Sequence, residues 1–453
     1  MDLKRINFLS AQFWGLLVSL LALFLMGGSS RDDVQSLIFL NPVMITCCGA
    51  ALLTLRRQHL NEKKWFLICF VFVFLTTSIY STLLSTKSPF DGFGILASSP
   101  TIAGALGSSN GPFIRSISSW QPIFFLFAPF SVFLFAIQLS LDELKLTLPL
   151  AVAVGTISGV IGVLQLAGGT NGPLYFYDVS NRGSAVGFFA NRNHAAVFLA
   201  CLFPMLAVLT ANVRMTKAAR NNILQLTAVT ILVIMIPLIL VTGSRSGLLT
   251  AVLAVIGSVL LYGSPATLFK KSISRKSTAF MVATIFLSLI MMTVYFSRAE
   301  SLERFFIDPE LVNGRTEFWL AGLPLFWKFF PLGFGPGNFV PVFQVVEPID
   351  MLSSVYLNRL HNDWLETALA FGVPGCIFIL AGMVYFLRRS FILWLRMDGR
   401  RSSVAMSRMA SIVIAILAMA SISDYPLRTP AMAGFAALAL VWFAHARRDP
   451  IPR

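Results

Sequence analysis

The sequence predicts an all-α, polytopic integral membrane protein. Three observations predict this fold class: 56% of the 453 residues are hydrophobic, only 12% are charged, and the mean hydropathy is +0.77. Soluble domains carry about 25% charged residues. Apolar stretches of about 18 residues or more recur along the whole chain, and each can cross the roughly 30 Å hydrocarbon core as a helix.

The apolar stretches predict about twelve transmembrane helices within a single membrane domain, residues 1–453. The predicted spans are 10–27, 34–55, 65–84, 122–140, 146–167, 195–212, 223–242, 246–263, 279–296, 366–387, 407–423 and 430–446. If the N-terminus is cytoplasmic, the dense Lys/Arg clusters near residues 56–64, 270–276 and 388–401 all fall on the cytoplasmic side. Because excess Lys and Arg mark that side, both termini are predicted to be cytoplasmic.

The formal net charge of +15 is therefore explained by membrane topology and does not indicate nucleic-acid binding. The five cysteines all fall inside predicted spans and show no metal-ligand spacing, so we interpret them as apolar packing residues.

The connections between spans differ in length, and the longest ones are predicted to lie outside the cytoplasm. Residues 85–121 and 168–194 form two long outer connections, and residues 297–365, just before the tenth span, form the largest. This last segment also holds the greatest density of polar residues. Long structured loops are usually functional, so the sequence predicts a large periplasmic loop that carries the functional site.

His361 is the outer-face histidine with the clearest helical context. It opens the stretch HNDWLETALAFGVPG, in which Asn362 or Asp363 can cap an apolar helix. A neutral imidazole at the membrane surface suits a general base, because its unperturbed pKa is about 6.5. The alternative is an interfacial anchor beside Trp364.

Three outer-face arginines suggest that the ligand is anionic. Arg245 lies in TGSRSG, Arg315 in NGRTEFW and Arg192 in FFANRNHAA, which also contains Asn193 and His194. The planar guanidinium can hold two phosphate oxygens at once. For Arg245 the alternative is a snorkelling side chain, and for Arg315 it is an ion pair within the loop.

No other motif indicates a cofactor or metal. FPLGFGPGNF (330–339) matches neither the phosphate-binding loop nor the dinucleotide fingerprint, so it is predicted to be a turn. No paired-carboxylate spacing supports a divalent-metal site, and the sequence predicts neither a metal nor a cofactor.

The motifs FFANRNHAAVFLA, GSRSG, NGRTEFW, GFGPGNF and HNDWLETALAFGVPG resemble, in their order and predicted sidedness, the O-antigen ligase/polymerase superfamily. They cover about two-fifths of the chain. The resemblance implies a GT-C-like, metal-independent, inverting glycosyltransferase of the bacterial inner membrane. It would use a glycan linked to undecaprenyl diphosphate as donor at the periplasmic face.

Carried over to this sequence, the family's catalytic residues fall on His361, Arg245 and Arg315. Arg192, Asn193 and His194 match a motif common among exopolysaccharide-type members and are assigned to substrate binding. His361 would take the proton from the acceptor hydroxyl, and the two arginines would stabilise the departing diphosphate.

The acceptor determines the reaction within this superfamily. The NRNH and HNDWLE motifs favour polymerisation of a surface polysaccharide, exopolysaccharide or O-antigen, with glycan as acceptor. The alternative is an O-antigen ligase that transfers glycan to the lipid A core. A twelve-span transporter or lipid-glycan flippase is the alternative from another class. It would place ionisable residues near the bilayer midplane, whereas most charges here lie at the ends of the spans.

Overall fold

The computed structural model describes residues 9–56, 64–85, 112–213, 235–262, 310–349, 356–397 and 402–446, and these form helices and loops with no β-strand among them. The helices before the large loop are α1 Ala11–Met26, α2 Ser36–Leu53, α3 Lys64–Ser85, α4 Pro112–Gln138, α5 Leu141–Ala167, α6 Arg192–Val213 and α7 Arg245–Tyr262. The later helices are α8 Glu310–Gly322, α9 Pro324–Lys328, α10 Phe339–Val346, α11 Asp363–Leu395, α12 Ser402–Ser423 and α13 Pro430–His445.

Ten of the twelve predicted spans coincide with a described helix. Of the other two, 223–242 is described only from residue 235, where the chain is helical to residue 241, and 279–296 lies outside the described residues. Among the described helices, six are long and apolar enough to cross a membrane: α2, α4 from Gln121, α5, α6 to Thr210, α11 and α12. The all-helical membrane fold is therefore confirmed, while the count of twelve stays a prediction.

Helix α13 is buried along most of its length and packs against α1, α4 and α12. Its Trp442 is fully buried, and the indole Nε1 donates a hydrogen bond to the Thr147 hydroxyl at 2.9 Å. A Cβ added at Gly434 would lie 2.5 Å from Leu23 of α1, so the missing side chain permits close contact between the two helices. Close packing of α13 fixes the turn that joins it to α12.

A second, smaller core lies in the segment before α11. It consists of buried Leu325, Phe334, Phe339, Val342, Phe343, Leu360, Leu369 and Ala370. Leu369 and Ala370 belong to α11, and Leu360 lies three residues before it. This core therefore attaches the end of the large loop to the start of that helix. His361, which follows Leu360, is thereby fixed to a packed element.

The predicted span 366–387 is part of the longer α11, which is interrupted at Gly372. This glycine has φ 58° and ψ −137°, a conformation that only glycine adopts readily. The Pro331 carbonyl accepts a hydrogen bond from the Val373 backbone at 2.8 Å, which satisfies an amide that the break would leave without an intrahelical partner. Gly333, Gly335 and Gly337 all have positive φ, so FPLGFGPGNF is a turn, as predicted.

Candidate functional site

Asp424 is the buried centre of the site, and sequence analysis missed it. It follows the last residue of α12 and is 1% exposed. Its Oδ1 lies 3.4 Å from His361 Nδ1 and 3.8 Å from His194 Nε2, and its Oδ2 accepts a hydrogen bond from the Asn193 amide. One carboxylate thus joins three residues from two distant motifs. The available signal was a single acidic residue in 402–446, placed at the end of an apolar helix.

Tyr425 completes this cluster. Its ring packs edge-on against both histidines, with centroid distances of 4.8 Å to His361 and 5.2 Å to His194. Its backbone amide donates to Asp424 Oδ1 at 2.9 Å, which adds a partner for the carboxylate. The tyrosine therefore fixes the two imidazoles relative to Asp424 through van der Waals contact.

Asp424 is ionised in this environment. Burial raises its pKa, but the contacts and charges of His194 and His361 lower it by more, so the pKa lies well below the usual range of an aspartate. Burial and the negative charge of Asp424 also raise the pKa of Tyr425, which keeps the phenol neutral. A buried negative charge held by two imidazoles stabilises positive charge on either of them.

The two histidines differ in access. The His194 side chain is 1% exposed, whereas that of His361 is 24% exposed. Among the described residues, the two ring nitrogens of His194 have no hydrogen-bond partner, and Nδ1 of His361 has none either. Their separations from Asp424 are longer than those of a tight charge-assisted bond, as is common for catalytic pairs in the absence of substrate. Only His361 is open to a ligand from solvent.

His361 is also held in an uncommon backbone conformation. Its φ is 56°, and among the described residues no other side-chain-bearing residue has a positive φ. Such a conformation costs on the order of 1–3 kcal/mol and persists where its surroundings enforce it. Here Glu366 accepts from the Leu360 amide at 2.9 Å, and Asn362 caps α11 by accepting from the Leu365 amide at 3.0 Å. The predicted cap is confirmed for Asn362.

Arg315 lies on the α12 side of the site. It belongs to α8, is half-buried, and its Nη1 donates to the Ser423 carbonyl at 2.7 Å, one residue before Asp424. The structure therefore brings Arg315, from the large loop, next to the cluster that contains His361.

Arg245 lies on the α6 side of the same end of the bundle. It is the first residue of α7 and is half-buried. The Ser244 hydroxyl accepts from the Gly247 amide at 2.9 Å, so the GSRSG turn begins the helix with its own cap. A Cβ on Gly247 would lie 2.4 Å from Ala196, which places this turn directly against the start of α6, near His194.

The NRNH motif forms the first turn of α6. The Arg192 backbone amide donates to Asn181 Oδ1 at 3.0 Å, and the Arg192 side chain is half-buried. The side chains of Asn193 and His194 face Asp424, and the substrate binding expected of them stays a prediction. Their contacts fit the positioning of this carboxylate.

A second buried group of charges supports the start of α11. Asp363 accepts from Arg428 at 3.0 Å. Arg359 lies 3.4 Å from Glu366 and also 3.4 Å from Asp32. Burial lowers the pKa of Arg359, but the charges of Glu366 and Asp32 raise it by more. These side chains pair with one another, and so they anchor the residues on either side of His361.

Among the described residues, no group of three His, Cys, Asp or Glu side chains is placed to hold a metal ion. Arg315 lies beside the histidine cluster through its bond to the Ser423 carbonyl, and Arg245 begins α7 in a turn packed against the start of α6. Metal-independence stays a prediction.

These features define a class of protein: an integral membrane protein whose helices converge, at one end, on a buried carboxylate with one accessible histidine. Residues 230–380 match the family model described as O-antigen ligase. This part of the chain is thus similar to the O-antigen ligase family, and the match confirms the resemblance seen in the sequence. The matched residues include Arg245, Arg315 and His361, whereas His194 and Asp424 lie outside them. Among curated proteins, none matches the chain at a significant level.

Proposed function

We propose that this protein is a glycosyltransferase that uses a glycan linked to undecaprenyl diphosphate as donor, at the periplasmic face of the bacterial inner membrane. The O-antigen ligase match supports a transfer reaction at a membrane and favours an enzyme over a transporter or flippase. The observation that carries the proposal is the position of His361: it is accessible, and its Nδ1 faces a buried, ionised carboxylate.

His361 is the general base of the proposed reaction. Because Nδ1 faces Asp424, Nε2 is left to accept the proton of an acceptor hydroxyl. The imidazolium that forms is stabilised by the negative charge of Asp424, 3.4 Å away. Asp424 thus acts as a positioning and charge-stabilising residue, a role that requires it to stay ionised.

The deprotonated hydroxyl attacks the anomeric carbon from the face opposite the diphosphate. A glycosidic C–O bond forms, the C–O bond to the lipid diphosphate breaks, and the anomeric configuration inverts. Arg315 and Arg245 approach the cluster from the α12 and α6 sides, where they would meet the negative charge on the departing diphosphate. The proton on His361 then passes to the released diphosphate or to solvent, so the base is restored.

For the acceptor, we propose a second lipid-linked glycan, which makes the protein a polymerase of a surface polysaccharide, exopolysaccharide or O-antigen. The NRNH motif supports this reading, because its Asn193 and His194 are built into the site beside Asp424. The alternative is an O-antigen ligase with the lipid A core as acceptor, and the family match is compatible with either acceptor.

The test is transfer by purified protein in lipid nanodiscs, with a defined undecaprenyl-diphosphate glycan and with both acceptors offered in parallel. His361→Ala and His361→Gln should each lower the rate about 10²–10⁴-fold, since neither replacement accepts the proton. The matched control is His194→Ala, which removes the buried imidazole on the other side of the same carboxylate and should lose less. An inactive His194→Ala together with an active His361→Ala would show that His361 is not the base. Product formed only on the glycan acceptor would identify a polymerase, and product formed only on the lipid A core would identify a ligase.

A further inference from the structure

A row of large apolar side chains is exposed on the segment that joins α8 to the turn after α9. Its members are Leu320 (61% exposed), Leu323 (45%), Trp327 (74%), Phe330 (54%) and Leu332 (54%). Their spacing of three to four residues up to Phe330 places them along one side of a nearly continuous helical path. We refer to these five residues as the loop ridge.

The opposite side of the same segment is apolar as well. Leu325 is 1% exposed in the small core, and Phe326 and Phe329 pack against that core. The segment therefore already has a packed interior, and the loop ridge is a second apolar surface. Contiguous exposed apolar surface of this kind marks a site of contact with protein or membrane.

The position of the loop ridge along α11 indicates which contact it makes. The Pro331 carbonyl binds the Val373 amide, so the chain between Phe330 and Leu332 is attached to α11 at this level. The exposed apolar side chains of α11 begin one turn later, at Ile377, and continue to Leu395. Arg388 and Arg389 interrupt this apolar face, so the hydrocarbon core ends near residue 387, and the predicted span 366–387 covers about 32 Å at 1.5 Å per residue.

The other boundary then lies near residue 366, and the attachment point at Val373 lies about 10 Å inside it. Trp327 lies in the chain between this attachment and Arg315, which is bound to the Ser423 carbonyl at the site end, so it falls near the headgroup region, where tryptophan is enriched. Trp327 stands between Phe326 and Phe330 with ring-centroid distances of 5.3 Å and 5.9 Å, and Lys328 follows it. An amphipathic aromatic ring beside an ammonium group suits lipid acyl carbonyls and phosphates.

We propose that the loop ridge binds the phospholipid surface of the leaflet at the site end of the bundle, with Trp327 in the headgroup region. The segment that carries Arg315 and precedes His361 is then fixed against the membrane. If the proposed function is correct, it is fixed where a lipid-linked donor presents its diphosphate. The lipid contact itself does not depend on that function.

The experiment measures the depth of Trp327 in protein reconstituted into phosphatidylcholine nanodiscs without substrate. The chain has eight tryptophans, so the contribution of Trp327 is the difference between wild type and Trp327→Phe. This difference emission should be quenched by phosphatidylcholine brominated at carbons 6 and 7, more weakly by lipid brominated at carbons 11 and 12, and little by aqueous iodide. The matched control is Trp319→Phe, because the half-buried Trp319 lies in the same segment and donates its Nε1 to the Leu360 carbonyl. Its difference emission should be less sensitive to brominated lipid.

Two outcomes would overturn the proposal. Quenching of the Trp327 emission by iodide and by neither lipid places the loop ridge in water. Protection from iodide and from both lipids places it against protein, such as a second copy of this chain. A second variant, Leu320→Gln with Leu323→Gln, should expose the segment to added protease in nanodiscs, while equal protection of variant and wild type would count against the lipid contact. Activity of His361 variants is measured separately, so failure of the proposed function leaves these readouts unchanged.

Discussion

Replacement of Asp424 by asparagine removes one negative charge and almost no volume. In the native site this charge lies 3.4 Å from His361 Nδ1. At this distance and an effective dielectric constant of about 20, the attraction for an imidazolium is about 5 kcal/mol. Because the His361 side chain is 24% exposed, solvent reduces this attraction, and we take about 2–3 kcal/mol as the loss in the transition state. That loss corresponds to about a 30- to 150-fold decrease in kcat.

The assay is steady-state transfer in nanodiscs, with kcat and KM determined separately for each acceptor. Because the charge acts on the imidazolium that forms during the reaction, Asp424→Asn should lower kcat and leave the KM of the donor nearly unchanged. Asp424→Glu restores the charge at a shifted position and should recover part of the rate. A wild-type kcat in the asparagine variant would refute the reasoning. A loss of activity that is accounted for by a smaller amount of folded protein would refute it as well.

The same carboxylate predicts a pH effect on stability. The pKa of Asp424 is lowered in the folded protein, so the ionised group contributes stability that is fully present above the unfolded pKa of about 4. This contribution is lost as pH falls through the lower native pKa. Thermal melts of wild type should therefore fall more steeply below about pH 4 than melts of Asp424→Asn, and parallel profiles would contradict an ionised Asp424.

Three further predictions concern the arginines, metal and the α11 break. Arg315→Lys keeps the charge but loses the planar fork that reaches the Ser423 carbonyl. The rate of transfer at low donor concentration should therefore fall about tenfold or more, while membrane insertion stays intact. A wild-type rate would show that Arg315 is not part of the site. Transfer should persist in excess EDTA, and loss restored by Mg²⁺ or Mn²⁺ would disprove metal-independence. Gly372→Ala would place a Cβ 2.1 Å from the Pro331 carbonyl at φ 58°, so it should detach the turn at 331–335 and increase protease cleavage there, whereas Gly382→Ala, which meets no atom within 4 Å, should not.

The amino-acid sequence alone determined the membrane fold and most of its elements. Runs of apolar residues are a local property of the chain, and so ten predicted spans could be matched to helices without tertiary information. The Asn362 cap and the FPLGFGPGNF turn were predictable for the same reason, since capping and positive φ depend on neighbouring residues. The motif order around Arg245, Arg315 and His361 also pointed to the family that the domain match supports.

Only the tertiary structure decided which residues share the site. Asp424 lies 63 positions after His361 and 230 after His194, and a lone carboxylate between two apolar helices carries no spacing signal. Its contacts arise because α12 packs against both α13 and α6, which holds the turn after α12 against the start of α6. The extent of α11 was equally hidden, because the Val373 amide at the Gly372 break donates to the Pro331 carbonyl, 42 positions earlier in the chain. Contacts between distant segments depend on how the helices pack, and no local pattern of residues encodes that arrangement.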